Sequence, residues 1–335
     1  MTRAALAWVV AIACAPARAP VGRAAPAAAV VDLHVDVPYE LHFRRRALGA
    51  LEASPARLAR GGVGVILAPL FVPNAFARAP AVVREAYAAT YADFRAALPA
   101  LGVEAWLSFE GADGFADDPA GIEPWMARGA CLVGLVHARS NALGGASQDP
   151  SRAARARGLS DAGKALARHV VERGGILDAA HASDATFDDL LAIARERGAP
   201  LVDSHTGLRA IRGIMRNVDD VHLRALAATG GVAGISVHSG HIGKTPGEGA
   251  TIDDVADAIE HAVAVAGVEH VAIGSDFDGS IDPPKDADGE SMWPVLRARL
   301  EARGMSARDV DRIDGENARR VFSWARAHGC TPGAR

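Results

Sequence analysis

The stretch Ala29–Asp36, AVVDLHVD, is an apolar run of strand length that ends in two candidate metal ligands, His34 and Asp36. Residues i and i+2 of a β-strand point to the same face. The two side chains can therefore reach one ion from the tip of one strand. His-x-Asp is frequent by chance, so its interpretation depends on how the later strands of the chain end.

Seven further apolar runs of strand length follow, and helical segments separate most of them. The predicted strands are 61–72, 103–110, 130–137, 175–181, 200–205, 231–238 and 270–276. The predicted helices are 81–98, 160–173, 184–197, 218–229 and 251–266, with two or three more after Trp293. This alternation is typical of parallel strands joined by helical crossovers. Eight such units in a chain of 335 residues predict an α/β protein with a (β/α)8 TIM barrel.

An open, doubly wound parallel sheet is the competing architecture. That fold usually has a Gly-rich phosphate-binding turn after its first strand. Here the first strand ends in His34-Val35-Asp36 and Pro38 follows, so we favour the barrel. Neither an internal repeat nor a linker divides the sequence, and we predict one catalytic domain over residues 29–330.

Ligand-type residues end nearly every predicted strand, at the edge where barrels of this kind carry their active sites. They are Asp36, Glu110, His137, His181, His205, His238 and Asp276. Each of these residues could instead have a purely structural role. A histidine at a strand end is often a hydrogen-bonded structural residue, and Glu110 could cap the next helix. Their joint occurrence predicts a shared site at one rim.

Imidazoles and carboxylates without a thiolate suit Zn²⁺ or a similar first-row ion. The set is too large for one tetrahedral ion with an open position, and it predicts two ions that share a bridging carboxylate. A carbamylated lysine often forms the bridge in such barrels, but Lys164, Lys244 and Lys285 lie in a predicted helix and in loops. Glu110 is therefore the predicted bridge.

Three aspartates precede the histidines by two or three residues: Asp32 before His34, Asp178 before His181, and Asp203 before His205. Carboxylates in this position can orient the imidazoles of a metal centre. They can equally be buried barrel residues with satisfied hydrogen bonds, and the sequence leaves both interpretations open.

The first 28 residues have the pattern of a secretory signal peptide: a basic start, an apolar stretch, and then small residues and proline. We therefore predict an exported protein, with lipid attachment at Cys14 as the alternative form of the same segment. Cys131 lies in an apolar strand, which favours a buried thiol over a disulfide. The net charge of −4 and the absence of a basic stripe argue against nucleic acid as a partner.

Beyond these patterns, the sequence resembles the zinc-dependent membrane (renal) dipeptidases, a family of the metal-dependent hydrolase barrel type. The matching segments are HVDVP at 34–38, GGVG at 61–64, FEG at 109–111, LVH at 135–137 with Asn141, GLS at 158–160, ILD at 176–178, HASD at 181–184, SH at 204–205, RNV at 216–218, IGSDFDG at 273–279, GEN at 315–317 and RVF at 320–322. They occur in the family's order and cover about residues 29 to 325.

The resemblance implies a binuclear zinc centre and a catalytic role for the residues around it. His34 and Asp36 would hold one Zn²⁺, and His181 and His205 the other, bridged by Glu110.

It also implies roles toward the substrate. Asp276 would carry a proton, His137 would contact the scissile carbonyl, and Arg216 would pair with the terminal carboxylate of a dipeptide. Where animal members of the family have a substrate-contacting tyrosine, this chain has His238, which leaves the preferred side chains open.

Two other functions remain open at this stage. One is a metal hydrolase on the same barrel that acts on a lactam, a lactone or a deaminase substrate. The other is a non-catalytic binding protein. The sequence does not determine the oligomeric state, and a homodimer is one expectation.

Overall fold

The computed structural model describes residues 29–73 and 79–333, and its centre is a closed barrel of eight parallel strands in sequence order, β1 to β8. The strands are β1 Val30–Asp32, β2 Val63–Leu70, β3 Glu104–Glu110, β4 Ala130–Gly134, β5 Ile176–Asp178, β6 Leu201–Thr206, β7 Val232–Ile235 and β8 Val271–Ile273. The predicted (β/α)8 fold is confirmed, and the doubly wound alternative is wrong.

The helices surround the barrel. They are α1 Val37–His42, α2 Pro55–Gly61, α3 Pro80–Leu101, α4 Glu123–Ala127, α5 Arg152–Arg155, α6 Asp161–Glu172, α7 Asp184–Arg197, α8 Asp220–Ala227, α9 Ser239–Ile242, α10 Ile252–Ala266, α11 Trp293–Ala302, α12 Ala307–Asp311 and α13 Asn317–Ala327. A π-helical turn, Arg312–Glu316, joins the last two. The long helices match the predicted ones, whereas α1 follows Asp36 directly where the sequence indicated only the end of a strand.

Local sequence explains where the main helices begin and end. Ser160 and Ser183 accept hydrogen bonds from backbone N–H groups in the first turns of α6 and α7, and Thr251 forms a capping box with Asp254 at the start of α10. Gly198 ends α7 in the left-handed conformation, with φ of 62°. These caps fix the helix ends and therefore the lengths of the loops that carry the site.

Several strands end earlier than the apolar runs predicted. β1 ends at Asp32, β5 at Asp178 and β8 at Ile273, so their ligand-type residues lie in the loops just beyond. The physical reason is clear for His181 and Asp276, because both have positive φ values, 63° and 70°, which extended strands do not adopt. β4 and β7 likewise end before their histidines, and only Glu110 and His205 lie within strands.

The C-terminal segment lies at the opposite end of the barrel, where a disulfide between Cys131 and Cys330 attaches it to β4. The prediction that Cys131 is a free buried thiol is therefore wrong. A free thiol and a disulfide-bonded cysteine can both be buried in an apolar strand, so the local sequence does not distinguish them. The pairing depends on the fold, which brings Cys330 next to the start of β4. Gly129 and Gly174 allow this close approach, because a side chain at either would overlap the backbone of Gly333 or His328.

Within residues 29–73 and 79–333, no helix is long and apolar enough to cross a membrane. The predicted signal segment and Cys14 lie outside the described residues. The division of the chain at residue 28 thus stays a prediction.

Candidate metal centre

Glu110 lies at the centre of the candidate site, at the C-terminal end of β3. Its Oε1 atom is 2.9 Å from Nε2 of His181, 3.4 Å from Nε2 of His205, 3.5 Å from Nε2 of His34 and 3.7 Å from Nε2 of His137. One carboxylate oxygen thus faces four imidazole nitrogens that come from four other strand ends. The structure thus brings these five side chains together at one rim of the barrel.

Asp36 and Asp276 complete the cluster on the side of His34. The distance from His34 Nε2 to Asp36 Oδ2 is 3.4 Å. Three overlapping groups have their ligand atoms within 4.8 Å of one another: His34 with Glu110 and His205, Glu110 with His137 and His181, and His34 with Asp36 and Asp276. The overlap at Glu110 and His34 makes this one extended site.

The unpaired nitrogens of the site fit a metal ion. His34 is buried, and neither of its ring nitrogens has a hydrogen-bond partner in the described part of the chain. The Nε2 atoms of His181 and His205 lie 3.0 Å apart, beside the same carboxylate oxygen. Buried imidazole lone pairs that converge on a carboxylate are what a first-row cation binds.

Two side chains outside the set predicted from the sequence form hydrogen bonds with the Nδ1 atoms of His181 and His205. Nδ1 of His181 is 2.9 Å from Oε1 of Gln148, and Nδ1 of His205 is 2.9 Å from Oγ of Ser204. Ser204 could have been inferred from its place beside His205, but Gln148 lies in a distant loop and gives no signal in the sequence.

Two of the aspartates that precede the histidines, Asp32 and Asp178, do not perform this task. Oδ1 of Asp32 accepts from the backbone N–H groups of His34 and Ser275, and Oδ1 of Asp178 accepts from those of Ala180 and Ser204. Each carboxylate joins its own strand to the neighbouring chain segment. For Asp32 and Asp178 the contacts therefore favour the structural interpretation over orientation of an imidazole.

The protein environment opposes charge on the site residues. Burial raises the pKa of Glu110 to about 8, and the carboxylates of Asp36 and Asp276 add to this rise. Burial also raises the pKa of Asp276 to about 8 and lowers that of His137 to about 3. Crowded carboxylates of this kind are stabilised in their charged forms by cations, which reverse these directions.

A cavity of about 370 Å³ opens above the cluster. Its wall includes Asp36, Glu110, His137, His181, His238 and Asp276 of the predicted residues, together with Tyr39, Phe71, Gln148, His241 and Ile281. Cavities of this size accept small molecules. The site is therefore a polar floor of candidate ligands beneath a partly aromatic wall.

His238 caps α9 and contributes its ring to this wall. Nδ1 of His238 accepts weak hydrogen bonds from the backbone N–H groups of Asp282 and Gly240, at 3.2 and 3.4 Å. A neutral ring with an acceptor at Nδ1 carries its proton on Nε2. His241, which the sequence analysis did not single out, packs edge-on against it at 4.6 Å.

Arg216 lies next to the cluster but is not among the described residues that line the cavity. It is buried, and its guanidinium donates to the backbone carbonyl of His205 at 2.7 Å. Asn217 holds this segment by donating to the carbonyls of Arg212 and His241, at 2.9 and 2.8 Å. The structure thus places Arg216 behind the end of β6, with its charge close to the site.

The fold and the site place this protein in the class of (β/α)8 barrels that carry a candidate metal centre of imidazoles and carboxylates at the C-terminal rim. The chain belongs to the membrane dipeptidase family (peptidase family M19), whose model matches residues 84–329. The resemblance inferred from the sequence motifs is confirmed at the level of the family.

Two relatives are similar over part of their lengths. An uncharacterised dipeptidase from Schizosaccharomyces pombe is 31% identical over 202 residues, which are 60% of this chain and 48% of that protein. The dipeptidase AclJ from Aspergillus oryzae is 34% identical over 165 residues, 49% of this chain and 38% of that one. The match thus spans half or less of each relative.

Solved structures share the fold over nearly the whole chain. The dipeptidase AC superimposes with a TM-score of 0.79 at 21% identity, over 90% of this chain and 99% of that one. A metallopeptidase from Rhodobacter sphaeroides, solved with a phosphinate mimic of the dipeptide L-Ala-D-Ala, gives 0.74 at 21% identity, over 91% and 99%. At such identities the likeness shows the fold alone.

Proposed function

We propose that the protein is a zinc-dependent dipeptidase, which hydrolyses the peptide bond of dipeptides with a free C-terminal carboxylate. Membership of the membrane dipeptidase family supports the reaction class. The observation that carries the proposal is the position of Glu110 Oε1, within 3.7 Å of four imidazole nitrogens. The cavity above it has the volume of a small-molecule site.

The proposed centre holds two Zn²⁺ ions. His34 and Asp36 would hold one, His181 and His205 the other, and Glu110 would bridge them. Two zinc ions bound in this way supply a water of lowered pKa and a Lewis acid for the peptide carbonyl. Among the described residues the site contains no thiolate and the ring nitrogens of His34 have no partner, which supports zinc or a closely related ion.

Asp276 and His137 are the proposed catalytic residues of the chain itself. Asp276 takes the proton of the attacking water at its carboxylate and transfers it to the leaving amine. Burial lowers the pKa of His137 to about 3, so its ring is neutral near pH 7 and donates an N–H to the carbonyl oxygen as negative charge develops there. Both side chains line the cavity beside Glu110.

Arg216 and His238 are the proposed substrate-binding residues, along with His137. A guanidinium offers a bidentate pair of N–H groups to a carboxylate, which would limit substrates to short peptides with a free C-terminus. The buried Nε of Arg216 has no partner among residues 29–73 and 79–333, so this donor of the guanidinium is unsatisfied close to the site. His238 would offer its Nε2–H to the substrate at the position where animal members of the family have a substrate-contacting tyrosine.

We further propose that the protein is exported. The Cys131–Cys330 disulfide supports this, since disulfides persist mainly in oxidising compartments outside the cytoplasm. A lipid anchor at Cys14 and a homodimer remain predictions.

A substrate panel tests the proposed reaction. The purified protein, loaded with zinc, is assayed against dipeptides with L- and D-residues at the C-terminus, their C-terminal amides, and a matched set of cyclic amides and lactones. We expect turnover of the free dipeptides, loss of turnover with a chelator, and recovery on adding zinc. Turnover of the cyclic substrates alone would favour the alternative hydrolase, and two bound ions without any turnover would favour a binding protein.

A further inference from the structure

The loop between β4 and α5 holds His181 in an unusual backbone conformation. His181 has a φ of 63°, in the left-handed region, which costs a non-glycine residue about 1 kcal/mol. Its backbone carbonyl accepts two hydrogen bonds from Ser147, one from the N–H at 2.8 Å and one from Oγ at 3.1 Å. The loop therefore helps to fix the direction in which the His181 ring leaves the chain.

Gln148, the next residue of the loop, contacts the ring itself. Its Oε1 lies 2.9 Å from Nδ1 of His181, and its side chain forms part of the cavity wall. A histidine that binds a metal through Nε2 carries its proton on Nδ1, and that N–H needs an acceptor. The amide oxygen of Gln148 is the acceptor here.

The partner imidazole is oriented in a different way. Nδ1 of His205 contacts Ser204, its neighbour on β6, which is completely buried. The acceptor for His181 instead comes from a residue 33 positions earlier, on a long, exposed side chain that lines the cavity. The orientation of His181 thus depends on the loop, whereas that of His205 depends on its own strand.

We propose that Gln148 is a positioning residue, whose amide oxygen fixes the tautomer and direction of the His181 ring and thereby sets the affinity for the ion held by His181 and His205. The inference rests on the proposed metal centre. Outer partners of metal-binding histidines typically change metal affinity about 10- to 100-fold when removed.

Three substitutions separate the acceptor from the bulk of the side chain. Gln148→Met keeps the length and removes the acceptor, Gln148→Glu keeps an acceptor at the same reach, and Gln148→Ala removes both. Arg152→Met, on the exposed surface of α5, serves as the matched control. Urea unfolding of each metal-free variant checks that the fold is retained.

The readout is metal affinity, measured by titrating the metal-free full chain with Zn²⁺ against a chelating dye, with Co²⁺ absorption as a second signal. We expect Gln148→Met and Gln148→Ala to weaken one of the two ions about 10- to 100-fold and to leave the other within about threefold. Gln148→Glu should restore the affinity, and Arg152→Met should match the unaltered protein. Unchanged affinity in Gln148→Met, or a loss in Gln148→Glu equal to that in Gln148→Met, would overturn the proposal.

This measurement is separate from the test of the reaction. A protein that binds two ions with the predicted dependence on Gln148, but does not cleave dipeptides, would refute the proposed function and leave the role of Gln148 intact. If the protein cleaves dipeptides but Gln148→Met binds both ions with unaltered affinity, the role of Gln148 is refuted and the proposed function is kept.

Discussion

Breaking the disulfide between Cys131 and Cys330 should lower the free energy of unfolding without changing the active site. The bond joins residues 199 positions apart, so it restricts a long loop of the unfolded chain. The chain-entropy relation gives about 5 kcal/mol at 25 °C for such a loop, and residual structure in the unfolded chain lowers the expected value to about 3 to 5 kcal/mol.

Urea unfolding of the metal-free protein, oxidised and reduced, measures this difference. With an m-value of about 3 kcal/mol/M, the midpoint should fall by roughly 1 to 1.7 M on reduction. Reduced protein is the right comparison because it keeps both buried sulfur atoms, whereas the Cys131→Ala, Cys330→Ala double variant also loses their packing. The double variant serves as a control, since reducing agent should not shift its midpoint.

Activity provides the second control. Cys131 lies near the start of β4, at the end of the barrel opposite the candidate metal centre. Turnover of the reduced protein, measured well below its unfolding temperature, should therefore stay within about twofold of that of the oxidised protein. Midpoints that agree within 0.2 M (roughly 0.6 kcal/mol at that m-value) would refute the reasoning on stability.

Three further predictions concern the site. Asp276→Asn should keep both ions and lower kcat about 10²- to 10⁴-fold, as metal analysis and steady-state assays would reveal, and near-normal turnover would rule out its role as the proton carrier. Arg216→Ala should raise KM about 10- to 100-fold for free dipeptides and much less for their C-terminal amides, and equal losses on both would contradict the carboxylate clamp. The pKa of Glu110, raised by burial to about 8 from an ordinary value near 4.5, means that the folded metal-free protein holds this proton more tightly than the unfolded chain. That stabilisation is complete below pH 4.5 and is lost as the pH rises through 8. The urea midpoint of the metal-free protein should therefore be lower at pH 9 than at pH 6, and Glu110→Gln should reduce this difference. An equal difference in Glu110→Gln and in the unaltered protein would contradict the role of Glu110.

The sequence contains most of the information that defines the barrel, because apolar runs and helical periodicity are local properties of the chain. The ends of strands are different. β5 and β8 stop at Asp178 and Ile273, and the chain then turns through His181 and Asp276 with positive φ values. Residue type alone does not reveal this turn, since positive φ is uncommon for non-glycine residues even though histidine and aspartate adopt it more often than most.

The candidate ligands could be predicted because parallel strands bring their C-terminal ends to one rim, so that His34, Glu110 and His205 converge by topology. The contacts of Gln148 and the pairing of Cys330 could not, because each depends on how a loop or a terminal segment folds back across the barrel. The position of Arg216 behind β6 belongs to the same group, as a family motif indicates its role but not its direction.

The number and position of bound zinc ions test the central claim most directly. Crystals of the protein grown with zinc and measured at the zinc absorption edge should show two anomalous peaks at the C-terminal rim. One should lie beside His34 and Asp36, the other beside His181 and His205, and both within reach of Glu110. A single peak elsewhere, or none at this rim, would contradict the proposed binuclear centre.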